Sequence, residues 1–416
     1  MELAPLEPSL HLKDVRYEIR GPLSRRALEL ERSGYDIIKL NIGNPGAFGF
    51  DMPDTMRRAI VENLRASEAY CHQKGIFPAR EAVVMEQQSR GVMNVTAEEV
   101  FIGNGVSELI MMCMRALLNP GDEVLVPSPD YPLWTASVVI HGGKALHYPC
   151  SPDNNFYPDP EAIRAQITPR TRALVIINPN NPTGAVYPLS LLRELVSIAE
   201  EYGLIIFADE IYGHMTYEKA SFIPLATLVN HTLCGTFSGL SKIYRACGLR
   251  VGWLSFSGEL GHAKPYLQAL ELLASLRLCS NVPGQWAVQT AIGGYQSIRD
   301  LVLPGGRLYE SRRAIIDACA ASKYLYVNAP EGAMYAFVGI SSEIFPDFDD
   351  QQFAMDLLEQ KHVLLAPGVS FNVPYRNYFR MTLLPTAEQM REVFKRIEDL
   401  LRDYELQRRR ATGGMQ

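Results

Sequence analysis

No run of about 18 apolar residues occurs in this chain of 416 residues, so a membrane-spanning helix is not expected. The seven cysteines, at 71, 113, 150, 234, 247, 279 and 319, are odd in number, scattered and without Cys-x-x-Cys spacing. That pattern argues against a disulfide framework and predicts reduced thiols, several of them core fillers. The eight histidines lack His-Glu-x-x-His or comparable spacing, and no metal is expected. Basic side chains number 40 against 46 acidic ones, a net charge of −6. With no basic stripe, nucleic acid is not an expected partner, and Arg408-Arg409-Arg410 reads as a solvated tail. Met1-Glu2-Leu3-Ala4-Pro5 has an acid and a proline where a secretory signal has a basic head and an apolar core. A cytoplasmic protein is expected. Internal repeats and low-complexity segments are absent as well.

What the chain has is length and apolar content. At 416 residues and 47% hydrophobic side chains it exceeds one usual core, so two domains are expected. Between about residues 54 and 300, apolar runs of strand length alternate with helical patterns: Val100–Ile102, Glu123–Val126, Ala145–Tyr148, Ala173–Ile177, Leu204–Ala208, Thr232–Thr236 and Val251–Phe256. Most are separated by enough chain for a crossover helix, which predicts an α/β fold with a seven-stranded, mostly parallel sheet. After Leu303-Pro304-Gly305-Gly306 the pattern changes to a smaller α+β domain. Its predicted helices lie near 307–322 and 349–360, and its strands near 324–327, 334–338, 363–365 and 378–383. In the last helix, Thr386-Ala387-Glu388-Gln389 after Pro385 is a capping box, and Met390, Val393, Ile397, Leu400, Leu401 and Tyr404 mark one packed face. A helix from about Lys13 to Arg32, interrupted at Gly21-Pro22, is assigned to an arm. The expected division is 1–53 for the arm and part of the small domain, 54–300 for the large domain and 301–416 for the small one.

Three motifs fall at the C-terminal ends of predicted buried strands, the edge where open α/β sheets bind ligands. They are Gly103-Asn104-Gly105-Val106-Ser107-Glu108, Asn178-Pro179-Asn180-Asn181-Pro182-Thr183-Gly184 and Ala208-Asp209-Glu210-Ile211-Tyr212-Gly213. The first precedes an apolar helical stretch, whose free N–H groups can cradle a phosphate. A fourth, Phe237-Ser238-Gly239-Leu240-Ser241-Lys242, runs on to Arg250 and Trp253. It sets one lysine ahead of an arginine in a small, apolar context. Such a pair suits an aldehyde cofactor carrying a phosphate: an amine can form a Schiff base, and a guanidinium can pair with a dianion.

In this order and at these separations the motifs resemble the fold-type I pyridoxal-phosphate aminotransferases, the class I/II family. Within it the chain is most similar to the bacterial glutamate–pyruvate (alanine) aminotransferases. The closer likeness rests on Leu40-Asn41-Ile42-Gly43-Asn44-Pro45, Tyr70-Cys71-His72-Gln73-Lys74-Gly75, Pro129-Asp130-Tyr131-Pro132-Leu133-Trp134, Gly239-Leu240-Ser241-Lys242 and Arg277-Leu278-Cys279-Ser280-Asn281-Val282-Pro283. It covers all but the first dozen residues and the tail after about Tyr404. The resemblance implies a seven-stranded sheet with helices on both faces, pyridoxal 5'-phosphate as cofactor, amino-acid and 2-oxo-acid substrates, and a homodimer.

It also implies a set of residue roles. Lys242 holds the cofactor as a Schiff base and then moves the substrate proton. Asp209 faces the pyridine nitrogen, while Tyr212 and Asn181 contact the ring's phenolic oxygen. Tyr131 stacks on the ring. Arg250 pairs with the phosphate, helped by Gly105, Val106 and Ser107 and by a hydroxyl from Ser238 or Ser241, because Gly239 stands where many members have serine. Tyr70 reaches the phosphate of the neighbouring subunit. Arg380, a charge inside the apolar run 378–383, grips the substrate α-carboxylate with the backbone at Gly43 on its other side. Six of them have a plainer alternative: a solvated loop lysine for Lys242, a helix-capping acid for Asp209, a turn for Asn181, a core tyrosine for Tyr131, a surface aromatic for Tyr70 and an internal ion pair for Arg380. Phe48 and Phe50 suit either an apolar substrate pocket or packing between arm and domain. A β-eliminating C–S lyase would use the same lysine and acid. A cofactor-binding regulator would carry an added DNA-binding domain, for which the N-terminus leaves no room.

Overall fold

The computed structural model describes residues 6–13, 15 and 21–413. Five parallel strands form the middle of the main sheet, in the order Leu233–Gly239, Ile205–Asp209, Thr171–Ile177, Glu123–Ser128 and Lys144–Ser151. Gly252–Gly258 pairs antiparallel with the first of these, and Val100–Gly103 forms the edge beyond it. All seven apolar runs read from the sequence are therefore strands of one sheet. The structure adds an eighth, the two-residue Tyr157–Pro158, at the opposite edge; two residues are too few to show a period.

Alternation along each strand divides its side chains between two apolar clusters. Ala173, Val175 and Ile177 join Phe101, Trp134, Phe207 and Phe237. Leu174 and Ile176 join Val100, Ile102, Leu125 and Ile206 on the other side. Both faces are thus covered, which is why these strands read as unbroken apolar runs.

A second sheet runs Leu325–Val327, Tyr335–Ile340, Tyr378–Thr382, Ala366–Pro367, antiparallel throughout. Ile38–Lys39 pairs in parallel with Val363–Leu364 and so brings residues 40–43 beside it. The last helix, Ala387–Gly413, begins as predicted. Gln389 N–H donates to Thr386 Oγ1 and Thr386 N–H to Gln389 Oε1, both at 3.2 Å.

The part of the expected arm helix that follows Gly21-Pro22 is present: Gly21 is the N-cap and Pro22 the first residue of Pro22–Arg32, the position where a missing N–H costs nothing. Most of the expected stretch before Gly21 lies outside the described residues. No helix among the described residues is long and apolar enough to cross a membrane.

Candidate active site

The C-terminal ends of Val100–Gly103, Glu123–Ser128, Thr171–Ile177, Ile205–Asp209 and Leu233–Gly239 lie along one edge of the main sheet, where Gly252–Gly258 begins. A cavity of about 150 Å³ opens there, between that edge and the strand Tyr378–Thr382. Lys242, Asp209, Tyr212, Asn181, Tyr131, Arg250, Ser241, Val106, Ser107, Gly43 and Arg380 all line it. Stretches from residue 43 to residue 380 thus meet in one space.

Asp209 ends its strand fully buried. Its Oδ2 accepts from Trp134 Nε1 at 3.2 Å and its Oδ1 from the Ile211 N–H at 3.4 Å. Burial pushes the carboxyl up from 3.8 to about 6, because two neutral donors offset only part of the desolvation. No basic side chain among the described residues pairs with it. A buried acid of this kind suits a cation arriving from outside the chain.

Arg250 approaches the start of the helix Val106–Leu117. Its Nη2 donates to Asn104 O at 3.3 Å and its Nη1 to Cys247 O at 3.0 Å. Gly105, at φ +81°, is the N-cap of that helix, and a Cβ there would stand 2.3 Å from Arg250 Nη2. Only glycine lets the guanidinium lie against the free N–H groups of the first turn. Fixed positive charge, helix N-terminus and the Ser107 and Ser241 side chains together make an anion cradle.

Lys242 Nζ donates to Gly43 O at 2.6 Å. Across the cavity, Arg380 is buried, with Nη1 donating to Asn181 Oδ1 at 2.9 Å and Nη2 to Asn41 O. Among the described residues its Nε has no partner. A buried guanidinium with a spare donor beside a cavity is poised for an anion, and the described residues supply none. Asn181 projects from a turn that its neighbours hold: Asn180 Oδ1 accepts from the Thr183 N–H and hydroxyl, and Asn178 Oδ1 from the Tyr187 N–H. The motif is therefore both a turn and a wall of the cavity.

A family profile described as aminotransferase class I and II matches residues 35–397. The chain belongs to the class I and II aminotransferases. It is 50% identical over 388 residues to the glutamate-pyruvate aminotransferase AlaA of Escherichia coli, covering 93% of this chain and 96% of that one. It is 45% identical over 397 residues to an alanine aminotransferase of Mycobacterium tuberculosis, with 95% and 92% covered. A crystal structure of an aminotransferase from Escherichia coli superposes with a TM-score of 0.94 at 48% identity, covering 96% and 98% of the two chains.

Within this aminotransferase cavity two candidate hydroxyls separate. Ser241 lines it. Ser238 is buried within its strand, opposite Trp253. Tyr70 does not line the cavity either, and its side chain is 78% exposed in the single chain. Phe50 lies buried under the Arg307 guanidinium, 4.3 Å from its ring centre, and Phe48 packs on the core. Neither lines the cavity.

Three residues that reading the motifs did not assign a role to stand at the site. Cys247 lines the cavity and donates to Asn44 Oδ1 at 3.4 Å. Trp134 holds Asp209, although its place three residues after Tyr131 gave a hint. Tyr335 lines the cavity from the second sheet, and Tyr212 donates to its hydroxyl at 3.0 Å.

Proposed function

We propose that this chain is a pyridoxal-phosphate-dependent aminotransferase that moves an amino group between L-alanine and 2-oxoglutarate, giving pyruvate and L-glutamate. One observation carries the reading. A single cavity joins a lysine amine, a buried acid with no cation, an arginine on a helix start and a second arginine with a spare donor. The choice of alanine and glutamate is supported by the names of the relatives that are 45–50% identical.

Bound there, pyridoxal phosphate supplies an aldehyde for the lysine and a ring that takes up electrons when the substrate Cα–H bond breaks. Arg250, Ser241 and the N–H groups at Gly105, Val106 and Ser107 hold the phosphate. Asp209 keeps the ring nitrogen protonated, Tyr212 and Asn181 address the phenolic oxygen and Tyr131 covers one face. Lys242 Nζ would take the proton from the substrate α-carbon. Arg380 grips the α-carboxylate in fork geometry. Tyr70 reaches the phosphate of a second copy, so the working form is a homodimer. Exposed Leu272, Leu276 and Leu278, on the segment to which Gln73 is bonded through Glu271, support that assembly.

The test is a spectral titration with single amino acids. Alanine and glutamate should each convert the lysine-linked cofactor to its amine form, and pyruvate or 2-oxoglutarate should reverse the change. Steady pyruvate release from cystathionine without any 2-oxo acid would instead identify a C–S lyase.

Asp209 gives a second test. In the cofactor-free protein its carboxyl is half protonated at about pH 6, and a cationic ring nitrogen beside it lowers that value. A group whose pKa falls on binding favours binding above its free value and loses the advantage as pH falls through it. Cofactor affinity should therefore weaken by up to about tenfold per pH unit below about 6, over and above the profile of Asp209→Asn. Parallel profiles for the two proteins, measured by equilibrium titration of the cofactor-free forms, would remove Asp209 from the ring.

A further inference from the structure

Tyr335 begins the strand Tyr335–Ile340, which pairs antiparallel with Tyr378–Thr382. Phe337 sits opposite Arg380 and Tyr335 opposite Thr382, so Tyr335 and Arg380 are diagonal neighbours. The Arg380 guanidinium lies between two aromatic rings, 4.5 Å from the centre of Tyr335 and 4.7 Å from that of Phe371. At that separation, away from water, each ring attracts the cation and keeps the planar group from tilting. The Tyr335 ring also stands edge-on to Tyr212, 5.7 Å away at 84°. Its hydroxyl accepts from Tyr212. A Cβ on residue 43 would meet that hydroxyl at 2.2 Å, and Gly43 O is the acceptor for Lys242. One side chain thus touches the carboxylate-binding arginine, the tyrosine aimed at the cofactor and the backbone that receives the lysine.

We propose that Tyr335 is a positioning residue with two separable parts: its ring holds Arg380 flat for the substrate carboxylate, and its hydroxyl sets the donor direction of Tyr212. The proposal rests on the aminotransferase reading above. Burial alone would raise the Tyr335 phenol, yet the charges of Lys242 and Arg380 and the Tyr212 hydroxyl hold it below its ordinary value. While the Tyr335 oxygen accepts from Tyr212, it draws that donor away from the cofactor's phenolic oxygen. Removing the hydroxyl returns that donor to the phenolic oxygen, making the lysine-linked nitrogen easier to deprotonate.

The test uses the holoenzyme and two substitutions. Tyr335→Phe keeps the ring. The pH midpoint of the lysine-linked absorption should fall by about half a unit, the size of one modest hydrogen bond. The inhibition constant of propionate, a carboxylate without an amine, should stay within about twofold, since the stacking is intact. Tyr335→Leu removes the ring. Propionate should then bind roughly tenfold more weakly, and KM for alanine and glutamate should rise together. If that variant does not fold, Phe371→Leu tests the stacking from the other side. An unmoved midpoint in Tyr335→Phe overturns the hydroxyl's part, and unchanged propionate binding in a folded leucine variant overturns the ring's. A wild-type enzyme without lysine-linked absorption would sink the aminotransferase reading itself, whereas normal wild-type behaviour with insensitive variants sinks only the role of Tyr335.

Discussion

Lys242→Ala is expected to lower turnover of alanine with 2-oxoglutarate on the order of 10⁴-fold, the upper range for removing a positioned acid–base group, and to abolish the absorption of the lysine-linked cofactor. Two functions leave with one amine: the covalent tether and the base at the substrate α-carbon. The cofactor should still bind, because Arg250 and the start of the helix Val106–Leu117 are untouched. Added methylamine supplies a base without the tether to the chain, so it should restore a small fraction of turnover. Spectra and steady-state rates on one preparation decide the matter. Turnover near the wild-type level would mean that another group carries the chemistry. A loss of folding would mean that the Lys242–Gly43 hydrogen bond, at 2.6 Å, is chiefly structural.

The main sheet was legible in the sequence because parallel strands are covered on both faces. Ala173–Ile177 reads as one apolar run for that reason, and the two clusters flanking it are what the run reports. Two-residue strands such as Ile38–Lys39 and Tyr157–Pro158 carry no period, and pairing partners far along the chain decide them. Gly21-Pro22 was read as a break in the arm helix, and a helix begins at Pro22, because proline is tolerated at the first helical position.

Much of the candidate site was legible too, since Asp209, Asn181 and Lys242 follow apolar runs whose ends must converge at one sheet edge. Choosing between Ser238 and Ser241 was not possible on spacing, because strand alternation sends the first into the core and the end of the strand leaves the second free. Tyr335 was hidden for a deeper reason. It is an aromatic in a buried strand, as core tyrosines commonly are, and only the register of Tyr335–Ile340 against Tyr378–Thr382 sets it under Arg380. Side chains that act by holding another residue carry no motif of their own.

Arg380→Lys should reduce kcat/KM for alanine and for glutamate together by roughly 100-fold, equivalent to about 2.8 kcal/mol for a forfeited bidentate grip. The wild-type guanidinium spends Nη1 on Asn181 and Nη2 on Asn41 and keeps Nε unpaired. Five N–H donors in a planar fork can hold both protein partners and a carboxylate at once. A lysine ammonium has three donors around a point and no plane to stack between Tyr335 and Phe371, so a two-point grip on a carboxylate means releasing a protein partner. Both substrates present the same α-carboxylate, which is why the two efficiencies should move in step, whatever separates their side chains. The charge is retained, so the lysine-linked absorption should persist and the thermal midpoint should fall by no more than a few degrees. Steady-state kinetics with each substrate, beside a thermal melt of the same protein, reads both quantities. A sharp drop in midpoint with normal efficiency in the surviving folded enzyme would make Arg380 a structural residue bonded to Asn41 and Asn181, and the substrate carboxylate would then have to be placed elsewhere in the cavity.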